Sequence, residues 1–140
     1  MKLAVVVCVL GSVALQGCAF EEYVDLIPNG GNVKGVMAVG HVNPYGDGPR
    51  NKFGKAFGNA DATWTTALCQ ADSDGDSQTN GEELGDPCCV WTHGGDSLLE
   101  RSTGLSNPGD SKSKSNGTIS CPYLDPFRRW VHNAKGSQNS

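Results

Sequence analysis

Aromatic residues are scarce in this 140-residue chain, at 7% of positions, and apolar residues of all kinds reach only 37%. A single small domain of that make-up cannot rest on a large apolar core and needs cross-links or ions to hold it. Positive charge is scarce too. Lys and Arg number 11 against 15 Asp and Glu, and a net charge of −4 excludes a general nucleic-acid binder. Long hydrophobic runs are confined to residues 3–15. That run is shorter than the roughly 20 residues a membrane span requires. The sequence has no P-loop, no nucleophile elbow and no pair of histidines at metal spacing. His41, His93 and His132 are scattered, and His41, after Gly40 in a β-like run, reads as a structural hydrogen-bonder. What is plentiful is Gly (19) and Pro (7), so the composition predicts a loop-rich fold.

Lys2 precedes the apolar run, and Gly17 and Ala19 put small residues at −3 and −1 of a cleavage site. Residues 1–19 therefore read as a secretory signal, with a secreted, extracellular chain starting at Phe20. The overlapping Leu15-Gln16-Gly17-Cys18 resembles a bacterial lipobox, whose use would instead lipidate Cys18. Cleavage after Ala19 removes Cys8 and Cys18 and leaves Cys69, Cys88, Cys89 and Cys121. An even number in an oxidising compartment predicts two disulfides. A bridge between the neighbours Cys88 and Cys89 would be strained. Two pairings stay open: Cys69–Cys89 with Cys88–Cys121, or Cys69–Cys88 with Cys89–Cys121. Either closes a loop of about 20 residues, worth about 3 kcal/mol in the chain-entropy model.

Along the chain, residues 20–32 form a short apolar segment that ends at Pro28-Asn29-Gly30-Gly31. Residues 33–42 are rich in Val and predict a strand or two. Residues 43–59, with two Pro and four Gly, predict a loop. Asp61 has the character of an N-cap, followed by Trp64, Ala67, Leu68 and Ala71 at helical spacing. Thr79 and Glu82 have capping-box spacing for a second short helix, which must stop near Gly85-Asp86-Pro87. Residues 106–120, rich in Ser, Lys, Gly and Asn, predict an exposed loop with a glycosylation sequon at Asn116. Residues 122–140 read as a flexible C-terminal extension. The fold class expected is a small disulfide-stabilised α+β, with short helices flanking an EF-hand-like acidic loop and a few short strands. Trp64 and Trp91 flank that loop and read as core residues packed on the disulfides. Charge is uneven: residues 20–100 carry 13 acids and 4 bases, residues 101–140 carry 2 acids and 6 bases. That is the pattern of a solvated loop beside an acidic body, or of a surface for a charged partner.

The chemistry is concentrated in residues 72–86, where six acids occur with no base. Unliganded, these charges repel one another, and a divalent cation resolves the conflict. Calcium takes six to eight oxygens from a loop that curls around it. Asp72, Asp74 and Asp76 fall at loop positions 1, 3 and 5, the carbonyl of Gln78 at 7 and Glu83 at 12. Asn80, at position 9, can act directly or through water. The departure is Ser77, where the EF-hand loop has Gly for its bend; Gly75 and Gly81 can supply flexibility instead. The loop also resembles thrombospondin type-3 calcium loops, though those occur in arrays.

Several phrases resemble the temptin family. They are Ile27-Pro28-Asn29-Gly30, Gly40-His41-Val42-Asn43, Asn51-Lys52-Phe53-Gly54, Trp64-Thr65 with Ala67-Leu68-Cys69, and the run from Asp72 to Trp91. The most specific part is Leu84-Gly85-Asp86-Pro87-Cys88-Cys89-Val90-Trp91. The resemblance covers residues 20–92 and extends more loosely to Cys121, giving a temptin-like domain over residues 20–121. It implies a Cys69–Cys89 disulfide, because the second cysteine of the family follows Gly-Asp-Pro after one residue. Family members carry an early cysteine near the position of Asn32-Val33-Lys34-Gly35, and this chain has none there. That loss and the extra Cys88 imply a re-paired Cys88–Cys121.

The resemblance further implies a secreted, non-enzymatic pheromone component that promotes attraction by binding a partner such as attractin. Two other readings belong beside it. One is a precursor of bioactive peptides, cut at Arg128-Arg129 or at Phe53-Gly54-Lys55. The other is an extracellular calcium-binding accessory domain.

Overall fold

The computed structural model describes residues 23–95, 99–116 and 121. The expected signal (1–19), Arg128-Arg129 and residues 122–140 lie outside them. Three short helices follow one another: α1 (Lys52–Asn59), α2 (Thr66–Gln70) and α3 (Asn80–Leu84). Residues 23–25 make a further helical turn. Among the described residues the only β-pairing is an isolated antiparallel bridge between His41 and Arg50. No helix there is long and apolar enough to cross a membrane.

The strands expected in residues 33–42 do not form. The segment is folded on itself by turns, with Val36 N–H donating to Val33 O and His41 N–H to Ala38 O. Its valines are divided between inside and outside. Val33 and Val39 are buried, while Met37 and Val42 are about two-thirds exposed, at 67% and 65%. β-Propensity measures fit to a pleated neighbour, and among the described residues only Arg50 offers one.

The loop expected over residues 43–59 contains α1 instead. Asn51 starts the helix: its Oδ1 accepts from Gly54 N–H at 2.8 Å, and its Nδ2 donates to Val39 O at 2.7 Å and His41 O at 3.1 Å. One side chain thus caps the helix and ties it to the preceding segment. Gly54 is not a helix breaker here. A Cβ on it would run into the carbonyl of Gly40, so the glycine allows backbone-to-backbone contact. Phe53 and Phe57 turn inward and stack with ring centroids 6.1 Å apart, and Phe53 meets Trp64 at 6.4 Å. With Ile27, Val33, Val39, Leu68 and Leu84 they make the core.

The cap of α2 is Thr65, whose hydroxyl accepts from Leu68 N–H at 3.1 Å, rather than Asp61. Asp61 and Ala62 both adopt φ near +52° and turn the chain between α1 and α2. α3 has the capping box of Thr79 and Glu82, and Gly85 ends it at φ +80°.

The structure pairs Cys69 with Cys89 and Cys88 with Cys121. The first bridge joins the end of α2 to the segment after α3, so it brackets the acidic loop. Asp86 completes the frame. Nearly fully buried, its carboxylate accepts from Trp64 Nε1 at 2.9 Å, Val90 N–H at 2.9 Å and Trp91 N–H at 3.2 Å. A buried carboxylate with three donors is a junction, not a ligand in waiting.

Candidate metal centre

The acidic loop is built by its own carboxylates. Asp72 accepts from the backbone N–H groups of Gly75 (2.7 Å), Asp76 (3.2 Å) and Ser77 (2.9 Å). Asp74 accepts from Asp76 N–H at 3.1 Å and Asp76 from Gln78 N–H at 2.7 Å. Each aspartate folds the chain that follows it. Ser77 makes the bend itself, at φ +77°, with Gly75 at +86° just before it.

The result gathers Asp72, Asp74 and Asp76, with one carboxylate oxygen of each within 4.8 Å of the others. Asn80 stands apart from them as a clamp. Wholly buried, it donates to Leu68 O at 2.7 Å and to Ser73 Oγ at 2.9 Å, and so fixes the start of the loop to α2.

Glu83 lies outside the cluster of three. It is fully buried on α3 and accepts from the Ser106 hydroxyl at 2.7 Å. Its other oxygen, and Oδ2 of Asp74, are buried with no hydrogen-bond partner. Unpaired buried carboxylate oxygens are costly. The cost shows in their protonation. Burial, with the Asp72, Asp74 and Asp76 charges behind it, pushes Glu83 up to about 8 although the Ser106 bond opposes this. Burial and then the neighbouring Asp76 raise Asp74 above the usual carboxylate range. Asp72, exposed, is held below that range, chiefly by the N–H of Ser77 and then of Gly75.

A strap of chain that the sequence does not mark is bonded to the acidic loop. Residues 106–108 and 115 are buried rather than exposed. Lys114 Nζ donates to Asp76 O at 2.7 Å and lies 3.3 Å from Asp76 Oδ2. The side chain of Gln78, whose carbonyl is the expected ligand, accepts from Ser115 N–H at 2.9 Å and donates to Ser115 Oγ at 3.0 Å. Arg101 bonds Asn116 O at 2.7 Å and also Glu82 O. Nothing periodic marks these residues. Only the charge imbalance between the two halves of the chain pointed towards them. Asn116 is exposed, and the rest of its sequon lies outside the described residues.

Chemically, the cluster is an all-oxygen donor set with spare buried lone pairs, which suits a hard cation such as calcium. Of the residues expected to hold such an ion, Asp72, Asp74 and Asp76 are gathered and Glu83 lies outside their cluster.

A family model described as Temptin C-terminal matches residues 17–110. A curated protein, Temptin of Aplysia californica, is 44% identical over 110 residues, which cover 74% of this chain and 83% of that protein. No solved structure matches. With a family model over most of its length and a relative this similar, the chain belongs to the temptin family.

Proposed function

We propose that this chain is a secreted, non-enzymatic component of a pheromone blend, and that it acts by binding a second small secreted protein of the attractin kind. The observation that carries the reading is the 44% identity to Aplysia Temptin across 83% of that protein. Two disulfides suit release into an oxidising medium. The peptide-precursor reading fits less well. Phe53-Gly54-Lys55 lies within α1, with Phe53 and Gly54 buried, so cleavage there requires local unfolding.

The acidic loop is proposed as a calcium site that orders the strap around it. Asp72, Asp74 and Asp76 would hold the ion, and Glu83 would join them after releasing its proton. Its affinity is expected on the order of 10⁻⁴–10⁻³ M, as in other extracellular modules, where millimolar calcium still fills it.

The test is a binding and behaviour pair. The purified chain is titrated into an attractin-like protein from the same animal by calorimetry, and the two are then presented separately and together in an attraction assay. Binding together with attraction that needs both proteins supports the reading. Full attraction by the partner alone, with no measurable binding, sinks it.

A further inference from the structure

Ile27, residues 38–41 and α1 line an open cavity of about 450 Å³. Small-molecule pockets run from about 300 to 1,000 Å³ and are mostly apolar with a few polar groups at defined points. This cavity has that composition. Its inner wall is Ile27, Val39 and Phe57, each no more than 6% exposed. Its exposed edge carries Arg50 and Asp61.

The two charges play unequal parts. Among the described residues no carboxylate pairs with the Arg50 guanidinium. It lies across Gly58, where an added Cβ would clash with it, so the missing side chain gives it room beside α1. A guanidinium that no described carboxylate pairs with, at the lip of an apolar cavity, presents a fork that matches a carboxylate. Asp61 on the same edge disfavours a ligand with a second negative charge. The edge is also strained. Asp61 and Ala62 are consecutive non-glycine residues at φ +52°. Left-handed backbone at such residues costs energy and persists only where the surroundings impose it. Here Ala62 N–H is held by Phe57 O at 3.0 Å, which fixes this edge to the wall of the cavity.

We infer that this cavity binds a small amphipathic monocarboxylate, its apolar body against Ile27, Val39 and Phe57 and its carboxylate on Arg50. The inference goes beyond the pheromone and calcium readings and does not depend on either.

The experiment is an amide chemical-shift titration of the full chain, expressed through a secretory route, with octanoate and with octanol up to about 1 mM, a range that reaches weak ligands. The expected result is saturable shifts at Val39, Gly40 and Phe57. Octanoate should bind more tightly than octanol, by up to about fivefold, the range of an exposed ion pair. Arg50→Met should abolish that preference while leaving the spectrum away from the cavity unchanged, and Arg50→Lys should keep part of it. No shifts at these amides, or equal binding of acid and alcohol, overturns the inference. So do shifts there that depend on protein concentration without ligand, which would make a second copy the occupant. Binding seen only after Phe20→Ala overturns it as well, because residues 20–22 would then fill the cavity in the natural chain.

Discussion

Glu83 and Ser106 are joined twice: Ser106 N–H donates to the Glu83 carbonyl at 3.1 Å, and its hydroxyl donates to the Glu83 carboxyl at 2.7 Å. The pair couples the helix behind the acidic loop to the strap in front of it. The hydroxyl is the one hydrogen-bond donor that the fully buried carboxyl has among the described residues. Ser106→Ala should therefore destabilise the chain by about 1–3 kcal/mol, the cost of stranding a buried polar group. Urea denaturation of both proteins in chelator checks it.

Glu83 also sets a pH dependence. In the folded chain it holds its proton up to about 8, against an ordinary 4.5. Between those values the unfolded chain has lost a proton that the folded chain keeps. Stability without calcium should therefore fall as pH rises from about 5 to 8, with a slope no steeper than about 1.4 kcal/mol per pH unit. Glu83→Gln, neutral at every pH, should flatten this slope. Denaturation midpoints in chelator at three pH values decide it, and a wild-type stability that rises across the window contradicts the assignment.

Calcium at ten times its dissociation constant should add RT ln 11, about 1.4 kcal/mol. The melting temperature should rise in millimolar calcium for the natural chain and not for Asp74→Asn or Glu83→Gln. An unchanged melting temperature of the natural chain would make the loop an acidic turn only.

Ser77→Gly should stabilise the loop by about 0.5–1 kcal/mol. The serine stands at φ +77°, where glycine avoids the left-handed penalty and gives back only part of it in unfolded-state entropy. Melts with and without calcium measure it.

Gly54→Ala should do the opposite of what helix propensity alone dictates. Propensity favours Ala by about 1 kcal/mol. The added methyl would meet the Gly40 carbonyl, and overpacking of this kind costs about 1–3 kcal/mol. The net effect expected is destabilisation, read as a lower denaturation midpoint.

The parts legible in the sequence were the local ones. Thr79 and Glu82 announce a capping box because both halves of it lie within one turn. The aspartates at alternate positions announce a curled loop for the same reason. Helix α1 was hidden because Gly54 and Gly58 look like loop residues, when each is there to let something approach: the Gly40 backbone in one case, the Arg50 side chain in the other. Asp61 looked like a cap but lies in a left-handed turn, and Thr65 took the role. The strap was hidden for a different reason. Ser106, Lys114 and Ser115 meet residues 23 to 38 positions away, and a Ser- and Lys-rich composition says nothing about such distant partners.

Cys88 and Cys89 are neighbours whose bridges run in different directions, one to Cys121 and one to Cys69. That junction is a mechanical shunt. Tension applied to the chain beyond Cys121 passes through the Cys88 sulfur to Cys89 and on to α2, and does not peel residues 106–116 from the acidic loop. A handle for surface capture or for pulling can thus be attached after Cys121 without loosening the loop, whereas one inserted at the turn near Gly109 would load the strap directly.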